Sequence, residues 1–431
     1  MKEQLEECVT YFKEREVYQP LFEKVREKYQ SLGHFGGIVY LYGLSRKECE
    51  QLSGFFRKDF KQNETISISA KAMGKALAAS RFSGLKWEDI LEYYFGQPLI
   101  VKKQKRLEEE IKREAYFKEI LESVPEEIGH GWLRGVVENR KEGYRLIMKE
   151  YAQRKEKLKN VLTVLLRTIP GIPYMRGKEK VKEYKLLPVF AAEATGDPHF
   201  FDVGTLAEQL LISFLKTIII LENQEHLSAV MEKSELLFKA GLLKDDLSNH
   251  TLCYGIRGID DNGLMHQGLE GFVQKKEPMV LTLRTLSRLK RVMTQNGKKV
   301  YIVENPAIFS MLIKEKPEAG ILCGNGQLRL ASHVLLDLFD KETEFLYAGD
   351  FDPEGLLIAQ NLKEKYGDRM HLWKYEKELY EMYRSEVEIS EKSLKKLDNI
   401  YLKELLEIAG LMKKQKKATY QEALWKEYIR H

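Results

Sequence analysis

Extended and helical patterns alternate through residues 291–431, and this alternation constrains the fold more than any other feature of the 431-residue chain. Short runs rich in β-branched and aromatic residues occupy 300–303, 320–323, 344–348 and 370–375. Helical segments separate them: one begins at Asn305-Pro306, and the others cover 327–339 and 353–365. Strands that are connected by helices in this way predict a parallel sheet. Sheets of this type bind ligands beyond the carboxyl ends of their strands.

Acidic residues follow two of these predicted strands. Glu304 comes directly after the first strand, and Asp350 and Asp352 follow the third. Residues two apart in extended backbone point the same way, so both aspartates can face Glu304 at one edge of the sheet. Carboxylates that converge raise one another's pKa unless a cation neutralises them, and hard oxygen ligands suit Mg²⁺. A magnesium site is therefore predicted at Glu304, Asp350 and Asp352.

A purely structural interpretation covers part of this pattern. Asp352 precedes Pro353 and suits a helix N-cap, while Glu354 suits the positive end of the helix dipole. Neither role accounts for Asp350 or Glu304, because an unpaired carboxylate at the end of an apolar strand is costly. For any single acid both interpretations stay open, whereas the set of three favours a metal site.

The whole chain has the composition of a water-soluble protein. It carries 70 basic and 65 acidic residues, and this net charge of +5 does not by itself establish a nucleic-acid partner. Its four cysteines lack metal-ligand or redox spacing, the first residues lack a secretory signal, and no segment is apolar enough to span a membrane. We therefore expect a cytoplasmic protein with no membrane partner.

Helical patterns dominate the middle of the chain, after a strand predicted at 38–42 between glycines. In 102–122 acids precede bases by four residues, which supports a solvated helix. A second helical stretch covers 144–166 and ends before Pro170. The two stretches could form an antiparallel arm or part of a bundle, and the sequence leaves both possible.

Several motifs together resemble a known family. Glu304 with Asp350-Phe351-Asp352-Pro353-Glu354-Gly355 resembles the Toprim domain of topoisomerases, primases and some nucleases. The longer pattern of 303–306, Gly326-Gln327, 349–352 and Ile358-Ala359 is similar to the DUF2399 C-terminal half of a family whose N-terminal half is DUF3323. Residues 37–45 and 78–82 resemble that N-terminal half. This family in turn resembles the JetD nuclease subunits of Wadjet anti-plasmid systems.

The resemblance implies a mixed α+β (α/β) multidomain fold. An N-terminal α/β or α+β module would cover 1–100, and a helical arm with connecting region 101–204. A winged-helix-like domain, as in the cleaving subunit of topoisomerase VI, would cover 205–290. A Toprim-like parallel sheet with flanking helices would cover 291–431.

The resemblance also implies a function. Glu304, Asp350 and Asp352 would be catalytic and would bind Mg²⁺, which Mn²⁺ can replace, in an endonuclease that hydrolyses phosphodiester bonds of double-stranded plasmid DNA. The partners would be an SMC-like ATPase with kleisin-type subunits, and two sites for two strands imply a homodimer. Tyr254 lies in the winged-helix-like segment, but no tyrosine aligns with a catalytic one, so water would attack.

Further candidates and alternatives remain. Lys413, Lys414, Lys416 and Lys417 form a basic turn that either contacts DNA or is simply solvated, and Glu422 could be an outer acid of the site. A non-catalytic DNA-binding structural subunit would keep the fold and lack cleavage. A receiver-like phosphoacceptor domain would need a lysine after a later strand, for which Lys374 is the candidate.

Overall fold

The computed structural model describes residues 2–62, 65–100, 102–177, 181, 183–221 and 228–430. These residues divide into two compact units, Met1–Ile120 and Leu121–His431. One hydrophobic core lies within the first unit, between Cys8 and Leu91, and another lies within the second, between Cys253 and Tyr428. No disulfide joins the four cysteines, all of which are described and buried.

In the first unit, helices pack against a two-stranded antiparallel sheet. Its elements are α1 (Lys2–Lys13), α2 (Tyr18–Leu32), β1 (Ile38–Leu41), α3 (Arg46–Phe56), β2 (Ile66–Ser69), α4 (Ala70–Ala78), α5 (Trp87–Phe95) and α6 (Lys102–Glu122), which ends in the second unit. The strand predicted at 38–42 is β1 and the charged helix predicted at 102–122 is α6, so both are confirmed. Alternate residues of β1, Val39 and Leu41, are buried, as expected for a sheet with one face in the core.

The second unit combines many helices with ten strands in its described residues. Its helices are α7 (Ile128–Asn139), α8 (Tyr144–Gln153), α9 (Lys155–Thr168), α10 (Pro173–Arg176), α11 (Leu187–Thr195), α12 (Leu206–Ile218), α13 (Ala229–Lys239), α14 (Gln267–Lys275), α15 (Leu283–Leu286), α16 (Pro306–Glu315), α17 (Leu330–Asp337), α18 (Pro353–Tyr366), α19 (Lys377–Met382), α20 (Glu391–Leu394), α21 (Lys403–Gln415) and α22 (Trp425–Ile429). Its strands are β3 (Lys185–Leu186), β4 (Leu242–Leu243), β5 (His250–Tyr254), β6 (Ile256–Asp260), β7 (Met279–Thr282), β8 (Leu289–Thr294), β9 (Lys299–Val303), β10 (Gly320–Cys323), β11 (Glu344–Ala348) and β12 (Met370–Leu372).

A six-stranded, mostly parallel sheet organises the C-terminal region, in the order β12-β11-β9-β10-β5-β7. Strands β9 to β12 are parallel, and helices α16, α17 and α18 connect them, so the predicted alternation and the mixed α+β class are confirmed. The chain leaves β9 toward β10 and then returns to the other side of β9 as β11. The strand order therefore reverses between β9 and β11, and sheets of this type bind ligands at such a switch point.

Strands β5 and β7 add an antiparallel pair to this sheet, with Tyr254 of β5 opposite Ile321 of β10. Both come from the segment 205–290, for which a separate winged-helix-like domain is predicted. The boundary predicted between 290 and 291 thus runs through a continuous sheet and one hydrophobic core. Sequence patterns did not indicate this, because β-pairing partners far apart in the chain leave no local signal.

The helical stretch predicted at 144–166 is interrupted. α8 ends at Gln153 and α9 begins at Lys155, because Arg154 has non-helical torsions of φ −146° and ψ 58°. The Arg154 guanidinium donates to the buried Glu150 carboxylate over 2.9 Å. Each short helix then buries its own apolar face, Ile147 in α8 and Leu158 to Leu166 in α9. No helix among the described residues is long and apolar enough to cross a membrane.

Candidate metal centre

Two neighbouring parallel strands place the predicted acids at the switch point. Val303, the last residue of β9, lies opposite Ala348, the last residue of β11. Glu304 follows the first and Asp350 follows the second after one glycine. The structure therefore brings these two acids to the same edge of the sheet, as predicted from the alternation.

Gly349 is the residue that allows this close approach. A Cβ atom at position 349 would lie 2.4 Å from Oε1 of Glu304 and 2.7 Å from the Tyr347 hydroxyl oxygen. Real Cβ contacts are essentially never that short, so the Glu304 carboxyl packs directly over the glycine backbone. The Tyr347 hydroxyl donates a hydrogen bond to the same oxygen, Glu304 Oε1.

Asp352 is the N-cap of α18. Its Oδ1 accepts a hydrogen bond of 2.6 Å from the backbone N–H of Gly355, so the capping interpretation is confirmed for this residue. Glu354 is exposed and pairs with Lys396, which places it in a surface ion pair. Capping engages one oxygen of the Asp352 carboxyl, so a cap and a metal ligand are compatible roles for it.

The C-terminal segment closes the acidic edge. The backbone N–H of Gln421 donates to Asp350 Oδ1 over 2.8 Å, and the Gln421 side-chain oxygen accepts from the Asn305 N–H over 3.0 Å. Glu422 is exposed and accepts a 2.6 Å bond from the Asn305 side-chain amide. The structure therefore brings Glu422 to the rim of the site and adds Gln421, which sequence reasoning missed.

Burial and mutual repulsion dominate the electrostatics. Burial, together with the neighbouring carboxylates of Asp350 and Asp352, raises the pKa of Glu304 to about 7, although the Tyr347 hydrogen bond opposes the rise. Burial raises the pKa of Asp350 to about 6, helped by Asp352 and Glu422 and opposed by the Gln421 N–H. Burial likewise raises the pKa of Asp352. Among the described residues, no lysine or arginine forms an ion pair with any of these three carboxyls.

Tyrosines that the sequence did not single out form the floor of the site. The rings of Tyr347 and Tyr375 stack at 6.3 Å between centroids and 15° between planes. The Tyr375 hydroxyl is buried without a hydrogen-bond partner in the described residues, and a Cβ at Gly349 would lie 2.9 Å from it. An unsatisfied buried donor beside carboxyl groups is a polar group available to a ligand. The positions of Tyr347 inside the third predicted strand and of Tyr375 at the end of the fourth are the sequence signals that could have indicated these roles.

The donor set fits a hard divalent cation. Carboxylate oxygens are the ligands that Mg²⁺ prefers, and a cation would relieve the repulsion that raises the three pKa values. As the side chains stand, no group of three or more His, Cys, Asp or Glu residues in the described part of the chain is arranged as a ready ligand cluster. The three carboxyls influence one another's pKa values. To bind one cation together, however, the side chains around Glu304 and Asp350 would have to change their conformations.

The basic turn of the C-terminal region is largely neutralised by local acids. Lys413 pairs with Asp398 at 2.6 Å, Lys416 with Glu391 at 2.5 Å and Lys417 with Glu386 at 3.1 Å. Lys414 is exposed and forms no ion pair with a described residue. Contact with DNA through this turn stays a prediction, and it would require exchange of exposed ion pairs, each of which contributes little to stability.

Two further candidates are placed away from the acids. Tyr254 is buried, pairs with the amino end of β10, and donates its hydroxyl to the Pro317 carbonyl over 2.8 Å. It thus lies toward the opposite edge of the sheet from Glu304. Lys374 follows β12 in a left-handed conformation with φ 66°, and its charge lowers the pKa of Glu427 rather than that of an aspartate at the site.

Comparison with known sequence families covers most of the chain. Residues 35–258 match the family described as "Protein of unknown function N-terminus (DUF3323)". Residues 279–430 match the one described as "Protein of unknown function C-terminus (DUF2399)", and this segment contains every acid of the candidate site. No curated protein matches the chain. The pair of family halves expected from the sequence motifs is therefore confirmed.

Proposed function

The chain belongs to the family that combines a DUF3323 N-terminus with a DUF2399 C-terminus, and we propose that it is a metal-dependent DNA endonuclease. One observation carries this proposal. Glu304 and Asp350 meet at the switch point of a parallel sheet with raised pKa values and without an ion-pair partner among the described residues. Half-buried acids with raised pKa values and no paired cation are candidates for a functional site.

The residues divide the work of phosphodiester hydrolysis. Glu304, Asp350 and Asp352 would hold the cation. When bound, Mg²⁺ or Mn²⁺ supplies Lewis-acid polarisation of a phosphate oxygen and stabilises the departing oxyanion. Without the cation, burial and the neighbouring carboxylates raise the pKa of Glu304 to about 7, so this residue would either complete the coordination or accept a proton from an attacking water. Tyr347 and Gln421 orient the acids through their hydrogen bonds to Glu304 and Asp350.

The wider context of the proposal comes from the sequence resemblance. We propose that the chain is the nuclease subunit of a Wadjet-like anti-plasmid complex, similar to JetD. In that setting it acts as a homodimer on double-stranded plasmid DNA, beside an SMC-like ATPase with kleisin-type subunits. What supports this is the family match, which spans the N-terminal and C-terminal halves of the chain.

Plasmid cleavage with Mg²⁺ or Mn²⁺ tests the activity, with the purified protein alone and with its co-encoded partners. Glu304→Gln and Asp350→Asn remove charge at the site with little change of shape, so both variants should lose nicking and cutting. Glu354→Gln is the matched control, because Glu354 lies two residues after Asp352, in the first turn of α18, but is exposed and paired with Lys396. Full activity of the first two variants, or equal loss in all three, would exclude the assigned site.

A second candidate function is a DNA-binding structural subunit without cleavage. It is favoured by the observation that the described acids form no ready ligand cluster. This function predicts salt-sensitive binding to DNA with no metal-dependent cutting in any combination of partners. Calorimetric titration with Mn²⁺ separates the two: saturable binding that is lost in Asp350→Asn supports the endonuclease, and its absence supports the structural subunit.

A further inference from the structure

A cleft in the second unit gathers basic side chains from three helices and one loop. It has a volume of about 760 Å³ and is lined by Arg140–Leu146, Gln209, Ile212, Ser213, Lys216 and Lys233. Five of these residues are basic, and Glu142 is the single carboxylate among the described residues that line it. We call this the basic cleft. Neither the proposed hydrolysis nor the sequence motifs assign it a role.

The loop between α7 and α8 is fixed firmly against α12. Gly143 has a φ of 94°, a left-handed conformation that favours glycine. A Cβ at this position would also lie 2.5 Å from the Ser213 hydroxyl oxygen, so both the backbone and the lack of space disfavour a side chain. The Ser213 hydroxyl also donates to the Glu142 carbonyl over 2.9 Å. The basic residues beside this glycine are therefore presented from a rigid loop, which lowers the entropy cost of binding a ligand.

The charges of the basic cleft are only partly compensated. Lys216 pairs with Glu232 at 2.9 Å and with Glu142 at 3.2 Å, and Lys233 pairs with the buried Glu208 at 3.1 Å. These pairs anchor the two lysines in the cleft wall.

By contrast, Arg140, Lys141 and Arg145 are exposed and form no ion pair with a described residue. Like charges that line one cleft repel one another, so a bound anion would be favoured. Two lining residues relieve this repulsion in part: Glu142, and Tyr144, whose ring centroid lies 5.7 Å from the Arg140 guanidinium carbon.

Backbone donors add to the same surface. The first turn of α8 begins after Gly143 and has no side-chain cap. The N–H groups of Arg145 and Leu146, at the start of the helix, have no intrahelical acceptor and lie where the cleft is lined. Guanidinium groups and N–H groups at a helix start are both good hydrogen-bond donors to phosphate oxygens.

From this combination we propose that the basic cleft binds the phosphate backbone of duplex DNA, at a position separate from the acidic edge. The choice of DNA rests on the proposed endonuclease function, whereas the phosphate chemistry rests on the cleft itself. An open cleft with five basic residues and one acidic residue in its lining suits a continuous polyanion. Binding there would hold the substrate on the enzyme while leaving the acids of the sheet edge free for catalysis.

The test is the salt dependence of duplex binding, measured by fluorescence anisotropy in EDTA with a labelled duplex between 50 and 200 mM salt, a range in which counterion release is readily resolved. The triple variant Arg140→Gln, Lys141→Gln, Arg145→Gln should bind on the order of tenfold more weakly. Its slope of log affinity against log salt should be smaller by about 0.9 for each phosphate that the variant no longer neutralises. The charge-preserving variant Arg140→Lys, Lys141→Arg, Arg145→Lys should keep the wild-type slope.

A matched control removes three exposed lysines elsewhere in the unit, through Lys314→Gln, Lys341→Gln and Lys403→Gln. If the control and the cleft variant lose equal affinity for the duplex, the effect comes from net charge alone and the proposal is overturned. An unchanged salt slope in the cleft variant would overturn it as well. Competition by poly-glutamate stronger than competition by unlabelled duplex would also overturn it, in favour of an acidic protein partner.

Asp350→Asn keeps failure of this proposal distinguishable from failure of the proposed function. It should bind duplex like wild type while losing cleavage. If neither wild type nor any variant cleaves DNA, but the cleft variant alone loses duplex binding, the cleft proposal stands and the endonuclease proposal fails. If wild type cleaves and the cleft variant binds normally, the reverse holds.

Discussion

Replacing Glu304 with glutamine should stabilise the metal-free protein at high pH. In the folded protein, burial and the nearby Asp350 and Asp352 raise the pKa of Glu304 from 4.5 to about 7. The folded state therefore binds a proton more tightly than the unfolded state, and stability falls as the pH rises from about 4.5 to about 7. Above that range the full cost of the ionised carboxylate is present, and below it the cost disappears.

The size of the effect follows from the two pKa values. The difference between 4.5 and about 7 corresponds to at most about 3 kcal/mol in the free energy of unfolding. Glutamine keeps the oxygen that accepts from Tyr347 and has nearly the same shape, so packing changes little. Glu304→Gln should thus gain up to about 3 kcal/mol at pH 8 and close to nothing at pH 4.5, relative to wild type.

Urea unfolding in EDTA at pH 4.5, 6 and 8 measures this difference, with the transition of the C-terminal region as the readout. Glu277→Gln is the control, because Glu277 is an exposed residue between α14 and β7. Adding Mg²⁺ should then stabilise wild type by about 2.7 kcal/mol at a hundredfold excess over the dissociation constant, but not the variant. A gain at pH 8 no larger than that at pH 4.5 would refute the electrostatic reasoning.

Two further predictions concern the same carboxyl. Gly349→Ala should destabilise the protein by about 1–3 kcal/mol, because the new Cβ would lie 2.4 Å from Glu304 Oε1. In the control Gly410→Ala, the new Cβ meets nothing within 4 Å, so this variant should be neutral or mildly stabilising. Thermal unfolding compares the two variants, and equal effects would contradict the close approach at Gly349. Tyr347→Phe should raise the pKa of Glu304 further, since the hydrogen bond that it removes favours the ionised form; carboxyl NMR titration measures it, and an unchanged or lower pKa would show that the bond does not act on Glu304.

Local sequence patterns predicted the frame of the site but not its lining. Strands β9 to β12 and the acids Glu304, Asp350 and Asp352 follow from periodicity, because each signal lies within a few residues. Gln421 lies 71 residues from Asp350 along the chain, and nothing in its own neighbourhood indicates that its N–H meets a carboxylate. Strand β5 likewise joins the sheet from 250–254, outside the segment where the alternation is visible.

The hydrogen-bond donors to the three carboxyls of the site are all uncharged, and this bears on the proposed function. Asp350 is held by a backbone N–H of Gln421, Asp352 by the N–H of Gly355, and Glu304 by the hydroxyl of Tyr347. Each of these donors is neutral, so it fixes the orientation of a carboxyl without cancelling its charge. A lysine or arginine in the same place would have lowered the pKa values and stabilised the fold more. Neutral donors leave the negative charge uncancelled, and under the proposed metal-dependent function a bound cation would recover the stability that is lost through repulsion.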